Sequence, residues 1–395
     1  MRIATVTFQN DALSQMQNLQ SQLAQTQNQL GTGKKLLTAS DDPAGMVQVN
    51  ELSARLSASQ QYVTNGDVAT ANLQLEEQAM TDATNVLQSA RSLALQANNS
   101  TLNAGDRQNI ATQLQQQLAA LVAIGNRTDS NGNYLFSGTA SGVLPFSQAG
   151  GSVSYSGAGS VNQIQVGPNQ RISGGDTGAT VFMNVPAGNG TFTTAAAPAN
   201  TGTASVATGT VVNRSAWVPD TYTIAFTSPT QYQVTNSAGT TVSSGTYTDG
   251  GSIAFNGVQV TLNGVPATGD QFTVTPAGTA SAFSTLSGLI TTLSSGTLNT
   301  AQITTGIGTA LQQIDNALTN LGNVQASAGA RLNAIASAQS SAHTVQTNLQ
   351  TSISQLTDVD YTAAITQLST EELSLKAAQA SYASIANLSL FNYIK

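Results

Sequence analysis

Apolar residues in the C-terminal third of the chain recur at alternating steps of four and three positions. The pattern holds through seven heptads, and its positions are Ile307, Leu311, Ile314, Leu318, Leu321, Gln325, Ala328, Leu332, Ile335, Gln339, Ala342, Gln346, Leu349, Ile353 and Leu356. A straight helix of roughly 50 residues would be about 75 Å long. Because its apolar seam is typical of a coiled coil, we predict a long helix that packs against partner helices.

The N-terminal part of the chain supplies such partners. The same alternation occurs in three segments, at Ala12, Met16, Leu19, Leu23, Thr26 and Leu30, then at Leu73, Met80 and Leu87, then at Ile110, Leu114, Leu121 and Ile124. We therefore predict three helices before the middle of the chain. Helices that are distant in sequence bury their seams best by packing together as a bundle.

The middle of the chain alternates with a period of two instead. Eight of the nine prolines lie between Pro145 and Pro276, and apolar residues alternate in TYTIAFTSPTQYQVT and in the segment from Ile253 to Val274. Asn256-Gly257 and Asn263-Gly264 are dipeptides typical of hairpin turns. Residues 186–210 are poor in apolar side chains and indicate a loop or a weak edge strand. The prediction is a multidomain α+β fold, in which an antiparallel β-rich domain is inserted between N- and C-terminal helices.

A joint between helices is predicted near each end of the chain. Gly33 lies where the first helical pattern stops, and the following lysines suit the negative end of a helix dipole. Asp42 is a natural N-cap, Pro43 fits the first helical position, and Asp41 lies beside the positive end of the next helix. Asp358 and Asp360 are cap candidates between Leu356 and a new apolar series. These charges therefore predict helix boundaries rather than a reaction.

The composition excludes several classes of partner and site. Of the 395 residues only 8% are charged, and the net charge of −7 lacks the positive field that nucleic acids require. There are no cysteines, so thiolate catalysis, cysteine-bound zinc and disulfides are excluded. No apolar run has the length of a signal peptide or a membrane span. We expect neither a nucleic-acid partner nor a membrane partner.

Candidate catalytic and metal-binding motifs fail on spacing. LGTGKK lacks the first glycine of a phosphate-binding loop, and DSNGNY lacks the glycine and the final glutamate of a calcium-binding loop. His343 is the single histidine and is expected on a helix surface. The adjacent acids Glu76-Glu77 and Glu371-Glu372 do not face each other on a helix, and we expect them to be solvated. The sequence therefore predicts a protein that is not an enzyme and has no cofactor or metal.

Several motifs resemble those of bacterial flagellin-family proteins. They are SDDPAG at 40–45, LALQANNSTLNAGDRQNIATQLQQQLAAL at 93–121, GNYLFSG at 132–138, and ISQLTDVDYTAAITQLST with SLFNYIK at the end of the chain. The Asp-Asp-Pro form of the first motif, the Met-Arg-Ile start and the Ser-Leu-Phe ending resemble hook-associated members found at the hook–filament junction. The β-rich insert is similar to the insert domains of such proteins.

The resemblance implies five regions and an assembly role. These are an N-terminal polymerisation segment at 1–42, which is helical but disordered in the free monomer, rod-domain helices at 43–140, a β-rich outer domain at 141–280, the long rod-domain helix at 281–357 and a polymerisation helix at 358–395. The subunit interface is expected at Met16, Leu19, Leu23, Leu30, Ile365, Leu368, Leu375, Ile385, Leu388 and Phe391, and the helix-joint motif at Gly33, Asp41, Asp42, Pro43, Asp358 and Asp360.

The implied partners are those of a flagellar adaptor. The resemblance implies self-assembly into a junction ring, the first hook-associated protein on the hook side and flagellin on the filament side. It also implies a cytoplasmic chaperone at the C-terminal region and export by the flagellar type III apparatus to the extracellular flagellum. Two alternatives remain at this point. The chain could be a flagellin, although the Asp-Asp-Pro form argues against it, or an adhesin that displays its β domain on a helical stalk.

Overall fold

The computed structural model describes residues 2–99 and 101–387, and the side chains of residues 6–99 and 101–384. Six α-helices lie in these residues: α1 (Arg2–Thr32), α2 (Pro43–Ala97), α3 (Ala104–Gly125), α4 (Ala282–Ser294), α5 (Thr300–Thr357) and α6 (Tyr361–Asn387). A π-helical turn at Ala179–Met183 and a 3-10 turn at Arg214–Ala216 lie between α3 and α4. The three helices predicted before the insert are therefore confirmed.

The strands all lie between α3 and α4. They are β1 (Phe146–Ala149), β2 (Ser152–Tyr155), β3 (Gln163–Gly167), β4 (Gln170–Ser173), β5 (Val185–Pro186), β6 (Phe192–Ala196), β7 (Ser205–Val206), β8 (Thr210–Val211), β9 (Tyr222–Ser228), β10 (Gln231–Thr235), β11 (Thr241–Thr246), β12 (Ser252–Phe255), β13 (Val258–Asn263), β14 (Gln271–Pro276) and β15 (Thr279–Ala280). Every pairing among them is antiparallel. The predicted α+β fold with an antiparallel insert is confirmed.

The strands form two main sheets and three short two-stranded pairs. The larger sheet has the order β11-β10-β9-β14-β6, and the smaller has the order β12-β13-β7 with β8 also paired to β13. The short pairs are β1-β2, β3-β4 and β5-β15. The stretch 186–210 contributes β6 at one end of the larger sheet, which agrees with the prediction of an edge strand.

The chain divides into two compact units. The first contains Met1–Thr64 and Ala338–Lys395, and the second contains Asn65–Ser337. In the first unit α1 packs against α6, so the first and the last described helices form one pair. The second unit contains α3, α4 and all the strands, together with the parts of α2 and α5 that fall within its bounds.

The seam predicted for the long helix is confirmed. None of its fifteen positions is exposed, and Ile314 and Ile335 are completely buried. The half-buried positions include the glutamines at 325, 339 and 346. His343 is exposed, as expected for a residue next to the seam rather than on it. The four–three alternation therefore identified the packed face of α5 correctly.

An aromatic cluster packs beside α3 and α4 in the second unit. The ring of Phe146 lies 4.8 Å from that of Phe283 and 5.7 Å from that of Phe182, measured between centroids. Phe136 contacts Phe182 edge to face at 5.2 Å. Buried aromatic pairs of this kind add about 0.5–1.5 kcal/mol each beyond the area that they bury. Because Phe146 is the first residue of β1 and Phe283 lies in α4, the cluster connects the start of the strands to the helix that follows them.

The two Asn-Gly dipeptides have different roles. Asn256 and Gly257 both have positive φ angles, 43° and 76°, and they join β12 to β13 with Phe255 paired to Val258, as a type I′ hairpin requires. The hairpin expected at Asn263-Gly264 is wrong, because β13 belongs to the smaller sheet and β14 to the larger one. The chain turns there, but it crosses between sheets instead of pairing with itself.

The expectation that the adjacent acids are solvated is half wrong. Glu77 and Glu372 are exposed, whereas Glu76 is 2% exposed and Glu371 is 8% exposed. One member of each pair lies on the buried side of its helix, since adjacent helical residues point about 100° apart. In the described part of the chain, no helix is both long and apolar enough to cross a membrane.

Candidate functional site

The first helix joint follows the predicted chemistry with one difference. Gly33 directly follows α1 and has a φ of 72°, the left-handed conformation that ends helices and favours glycine. The carboxylate of Asp41 accepts hydrogen bonds from the backbone N–H groups of Leu37 and Thr38, at 3.0 and 2.8 Å. These donors lower the pKa of Asp41, the bond from Thr38 contributing most. Asp41 therefore closes the loop, instead of lying free beside the next helix dipole.

Asp42 starts α2 as predicted. Its Oδ1 accepts the N–H of Gly45 at 2.9 Å, and its carbonyl accepts the N–H of Met46 at 2.9 Å. Pro43 is the first residue of the helix, where its missing N–H is not needed. A side chain at Gly45 would place its Cβ 2.5 Å from Asp42 Oδ2. The cap therefore requires a glycine three residues later, which the sequence reasoning did not assign.

The second joint is built in the same way. Asp360 precedes α6, and its Oδ1 accepts the N–H groups of Thr362 and Ala363 at 2.9 and 3.1 Å. Its carbonyl accepts the N–H of Ala364 at 2.9 Å. An N-cap of this kind stabilises a helix by about 1 kcal/mol. Asp358 is not the cap, because its carboxylate is turned toward the first joint.

The two joints bind each other, and we call this contact the joint clasp (residues 33–35 with 357–359). The N–H of Lys35 donates to the carbonyl of Thr357 at 2.7 Å, and the N–H of Val359 donates to the carbonyl of Gly33 at 3.0 Å. Lys34 and Asp358 form the antiparallel bridge between these bonds. The clasp therefore fixes the end of α1 beside the end of α5 through backbone bonds that do not depend on side-chain identity.

Side chains add a charged contact to the joint clasp. Lys34 Nζ lies 2.9 Å from Asp358 Oδ1 and donates to Thr357 Oγ1 at 3.1 Å. Lys35 Nζ donates to the carbonyl of Gln355 at 3.1 Å. Hydrogen bonds from Ser354, Lys34 and Thr357, in this order, lower the pKa of Asp358 to about 2. The ion pair is half exposed, so salt screens it, and it orders the contact more than it stabilises it.

The sequence located both joints but did not predict their pairing. The lysines at 34 and 35 were expected to favour the end of α1, whereas the structure aims both at the second joint. Lys34 and Asp358 are 324 positions apart, and no local pattern links them. The only signal available in the sequence was the charge of the residues at the two joints. The first joint carries lysines and aspartates, the second carries aspartates, and the rest of the chain has few charged residues.

Most of the described residues expected at the subunit interface lie in a seam within the chain. Met16, Leu19, Leu23 and Leu30 are half-buried on α1, and Leu368 and Leu375 are half-buried on α6, the helix that packs against α1. Ile365 is different, because 54% of it is exposed. The side chain of Ile385 is not described, and Leu388 and Phe391 lie outside the described residues.

A second set of apolar side chains on these helices points to solvent. Val6, Phe8 and Leu13 of α1 are 55%, 49% and 49% exposed, and Leu373 of α6 is 69% exposed. The chain therefore presents apolar surface on helices whose seam is already occupied. Isolated exposed apolar residues are ordinary, but several on one helix pair favour a contact with another protein.

Among the described residues, the side chains that can ligate a metal are not grouped into a metal site. No group of three or more His, Asp or Glu side chains among them is arranged to hold a metal ion. The DSNGNY stretch is a turn, as expected, in which Asp129 Oδ1 accepts the N–H groups of Asn131 and Asn133 at 2.8 Å each. The candidate functional site is therefore the helix pair α1–α6 with its joint clasp.

Comparisons with known proteins agree with this geometry. The model of the bacterial flagellin N-terminal helical region matches residues 3–141, and that of the C-terminal helical region matches residues 311–394. A model of the D2-like domain of flagellar hook-associated protein 1 matches residues 195–276. The matches thus cover both helical flanks and most of the two main sheets.

Individual relatives are named for the hook-associated proteins and for flagellin. Flagellar hook-associated protein 3 of Salmonella typhimurium is 34% identical over 185 residues, which are 47% of this chain and only 58% of that protein. Phase 1 flagellin of Salmonella naestved is 30% identical over 113 residues, or 29% of this chain and 22% of that protein. The crystal structure of Xanthomonas campestris FlgL has a TM-score of 0.69 and 33% identity, covering 75% of this chain and 99% of that one.

Proposed function

Since this chain belongs to the flagellin family, as a FlgL-type member, we propose that it is a structural adaptor that joins hook to filament at the hook–filament junction by helical self-assembly. The observation that carries the proposal is the likeness of this chain to almost the whole of a FlgL structure. The pairing of α1 with α6, held by the joint clasp, supports it. The flagellin alternative is weaker, because the match to flagellin covers 22% of that protein. The adhesin alternative does not require a joint at each end.

The helix pair supports self-assembly through two kinds of residue. We propose that the half-buried residues, such as Leu19 and Leu375, hold α1 and α6 together, and that exposed ones, such as Ile365 and Leu373, contact neighbouring subunits. Ile385, Leu388 and Phe391 are proposed for the same contacts from their place in the sequence. Apolar side chains that are exposed in one subunit gain about 25 cal/mol for each Å² that a neighbour covers.

The regions and partners of the adaptor are proposals as well. We propose that residues 1–42 and 358–395 are polymerisation segments that are disordered in the free monomer and order on assembly. The copies would form a junction ring between the first hook-associated protein and flagellin. A cytoplasmic chaperone would bind the C-terminal region before export by the flagellar type III apparatus. The similarity to hook-associated protein 3 and to flagellin supports the flagellar setting of these proposals.

A charge on the exposed face of α6 tests the proposal. Leu373→Asp should leave the fold intact, because 69% of this residue is exposed, yet it should block contacts between subunits. Ser374→Asp is the matched control, since it adds the same charge at the next exposed position. We expect cells with Leu373→Asp to build hooks, to shed filament protein into the medium and to lose motility, whereas the control swims.

A deletion of residues 385–395 is a second, independent test of the adaptor role. The truncated chain should keep its rod-domain helices and its β-rich domain folded but fail to connect filaments to hooks. Attached filaments of normal length in that strain would refute the adaptor role. Intact hooks with little or no filament protein in the medium would favour a flagellin instead.

A further inference from the structure

A groove in the second unit follows the free edge of the larger sheet. Strand β6 is the last strand of that sheet and pairs with β14 alone among the described strands. The groove has a volume of about 530 Å³, and its lining includes the consecutive residues 193–196 of β6. Successive residues of a strand point to opposite faces. Four consecutive lining residues therefore mean that the groove follows the edge of the strand rather than one face.

The backbone of β6 offers unpaired groups to this groove. Ala197 donates to Gln271 at 3.0 Å and Ala277 donates to Thr191 at 2.9 Å, so the odd-numbered residues of this stretch bond toward β14. In an antiparallel ladder the residues between them direct their N–H and C=O groups the other way. Those residues are Thr194 and Ala196. Such an edge is a template for one more strand.

The opposite wall of the groove contains an unpaired hydrogen-bond acceptor. It is formed by α4 and α5 and is lined by small residues such as Gly288 and Thr309, together with Gln313. Gln313 is 7% exposed, and its Oε1 is buried with no hydrogen-bond partner. Leaving a buried carbonyl oxygen unpaired is costly. Gln313 lines the groove, so a rotation of its side chain would bring Oε1 to a hydroxyl donor of a strand that lies there.

We propose that the groove receives strand β11 of a second copy of this chain, so that the larger sheets of neighbouring copies join edge to edge. β11 is the opposite end strand of the same sheet. Its residues, TVSSGT, are small, and four of the six carry a hydroxyl group. Strand β11 therefore matches both the width of a groove lined by small residues and the donor that Gln313 lacks.

Charge favours a second copy as the occupant. The chain has a net charge of −7, so two copies repel each other over most of their surfaces. Neither β11 nor the lining of the groove contains a charged residue. Edge strands that avoid pairing usually carry a charged side chain, and neither β6 nor β11 does. The contact between these two surfaces therefore adds no repulsion between charged side chains.

The contact joins two different surfaces, so it is head to tail. Contacts of this kind propagate into closed rings or open helical arrays. The inference deepens the proposed self-assembly and rests on it for the presence of neighbouring copies at the junction. It assigns the insert a role in assembly that is separate from that of the terminal helices.

Engineered cysteines test the contact in the purified chain, which has no cysteine of its own. One preparation carries Ala196→Cys in β6, and the other carries Ser243→Cys or Ser244→Cys in β11. The two are mixed at high concentration under mild oxidation. Because neighbouring residues of β11 point to opposite faces and a disulfide needs Cβ atoms about 3.5–4.5 Å apart, we expect one β11 variant to form the mixed dimer and the other to fail.

A cysteine on another exposed strand is the control for random collision. Ser154→Cys lies on β2 and is exposed, and it should link to Ala196→Cys no more than background. Equal linking of both β11 variants and of this control would overturn the proposal, and so would the absence of any mixed dimer.

A second test of the edge contact fills the groove with a larger side chain. An added Cβ at Gly288 meets no atom within 4 Å, so Gly288→Leu occupies the groove without a clash. Gly322→Leu is the matched control on α5. An added Cβ at Gly322 also meets nothing within 4 Å, and Gly322 does not line the groove. We expect Gly288→Leu to lower the yield of mixed dimer at least tenfold and Gly322→Leu to preserve it.

Equal yields in the two variants would contradict the edge contact. This result would leave the adaptor role untouched, because cross-linking is measured with purified chains and the adaptor role by filament attachment in cells. Conversely, attached filaments in the truncated strain would refute the adaptor role while a specific mixed dimer still supported the edge contact.

Discussion

The buried carboxyl group of Glu76 makes the stability of the second unit depend on pH. Glu76 Oε1 accepts the N–H of Asp176 at 3.0 Å, and the carboxylate of Asp176 forms an ion pair with Arg331. Burial, together with the negative charge of Asp176, raises the pKa of Glu76 to about 9, although the positive charge of Arg331 opposes the rise. Glu76 is therefore a neutral acid near pH 7, and glutamine has almost the same shape.

The magnitude follows from proton linkage. In the unfolded chain the carboxyl group ionises with its ordinary pKa of 4.5, whereas the folded protein keeps the proton up to about pH 9. The folded state thus binds more protons throughout this range, so this group makes the free energy of unfolding fall as pH rises. Each pH unit costs up to about 1.4 kcal/mol. Between about pH 5 and pH 8 the loss is at most about 4 kcal/mol.

Glu76→Gln should remove this dependence. The amide needs no proton, and its NH₂ group can donate to Asp176. We expect the variant to be more stable than the wild type near pH 8 and to show a flatter dependence of stability on pH. Urea unfolding followed by far-ultraviolet circular dichroism at several pH values measures both. Glu77→Gln, at the exposed neighbouring position, should retain the wild-type slope.

The comparison has a clear contrary outcome. If Glu76→Gln keeps the wild-type slope, Glu76 does not hold a proton in the folded state. If the variant loses stability near pH 8, the ionised carboxylate must be making a favourable interaction there, and the assignment of a neutral buried acid is wrong.

Three further predictions concern the helices and the joint clasp. Leu332→Asp places a charge on the seam of α5 and should lower the free energy of unfolding by about 2–4 kcal/mol, whereas the exposed His343→Ala should change it by less than about 0.5 kcal/mol; equal losses of thermal stability would mean that the seam was placed on the wrong face. Because the pKa of Asp358 is lowered from 3.8 to about 2, its contribution is present above pH 3.8 and is lost as pH falls through about 2. In assembled subunits, the protection of the Lys35 and Val359 amides against hydrogen exchange, taken relative to the intrinsic exchange rate at each pH, should decrease over this range in the wild type, and Asp358→Asn should show the reduced protection already at neutral pH; identical acid profiles would exclude a role for the ion pair. In dilute solution a protease should cut residues 1–42 and 358–395 before the rest of the chain, and equal resistance of all regions would contradict folding coupled to assembly.

The structural elements that depend only on neighbouring residues could be predicted from the sequence. The four–three alternation placed the seam of α5, because a helix puts residues three and four apart on one face whatever it packs against. Asp42, Pro43 and Asp360 marked helix starts, because a cap bonds to N–H groups within three residues. Asn256-Gly257 predicted its hairpin for the same reason, since the turn is closed by the conformations of these two residues.

Other features depend on residues that meet only in the folded chain. Asn263-Gly264 has the same turn chemistry as Asn256-Gly257, but the strands that follow belong to different sheets, and sheet membership is decided by distant partners. Glu76 is buried because a segment about 100 positions away covers it and donates to it, so its own surroundings in the sequence predicted a solvated acid.

In the joint clasp, too, some features were predictable from the sequence and others depend on the tertiary structure. The sequence determined each joint, with its glycine, its caps and its charges. Their pairing was decided by the packing of the terminal helices in the first unit, which brings Lys34 to Asp358 across 324 positions. A backbone bridge of this kind has no sequence signature, because the N–H and C=O groups that form it are the same in every residue other than proline.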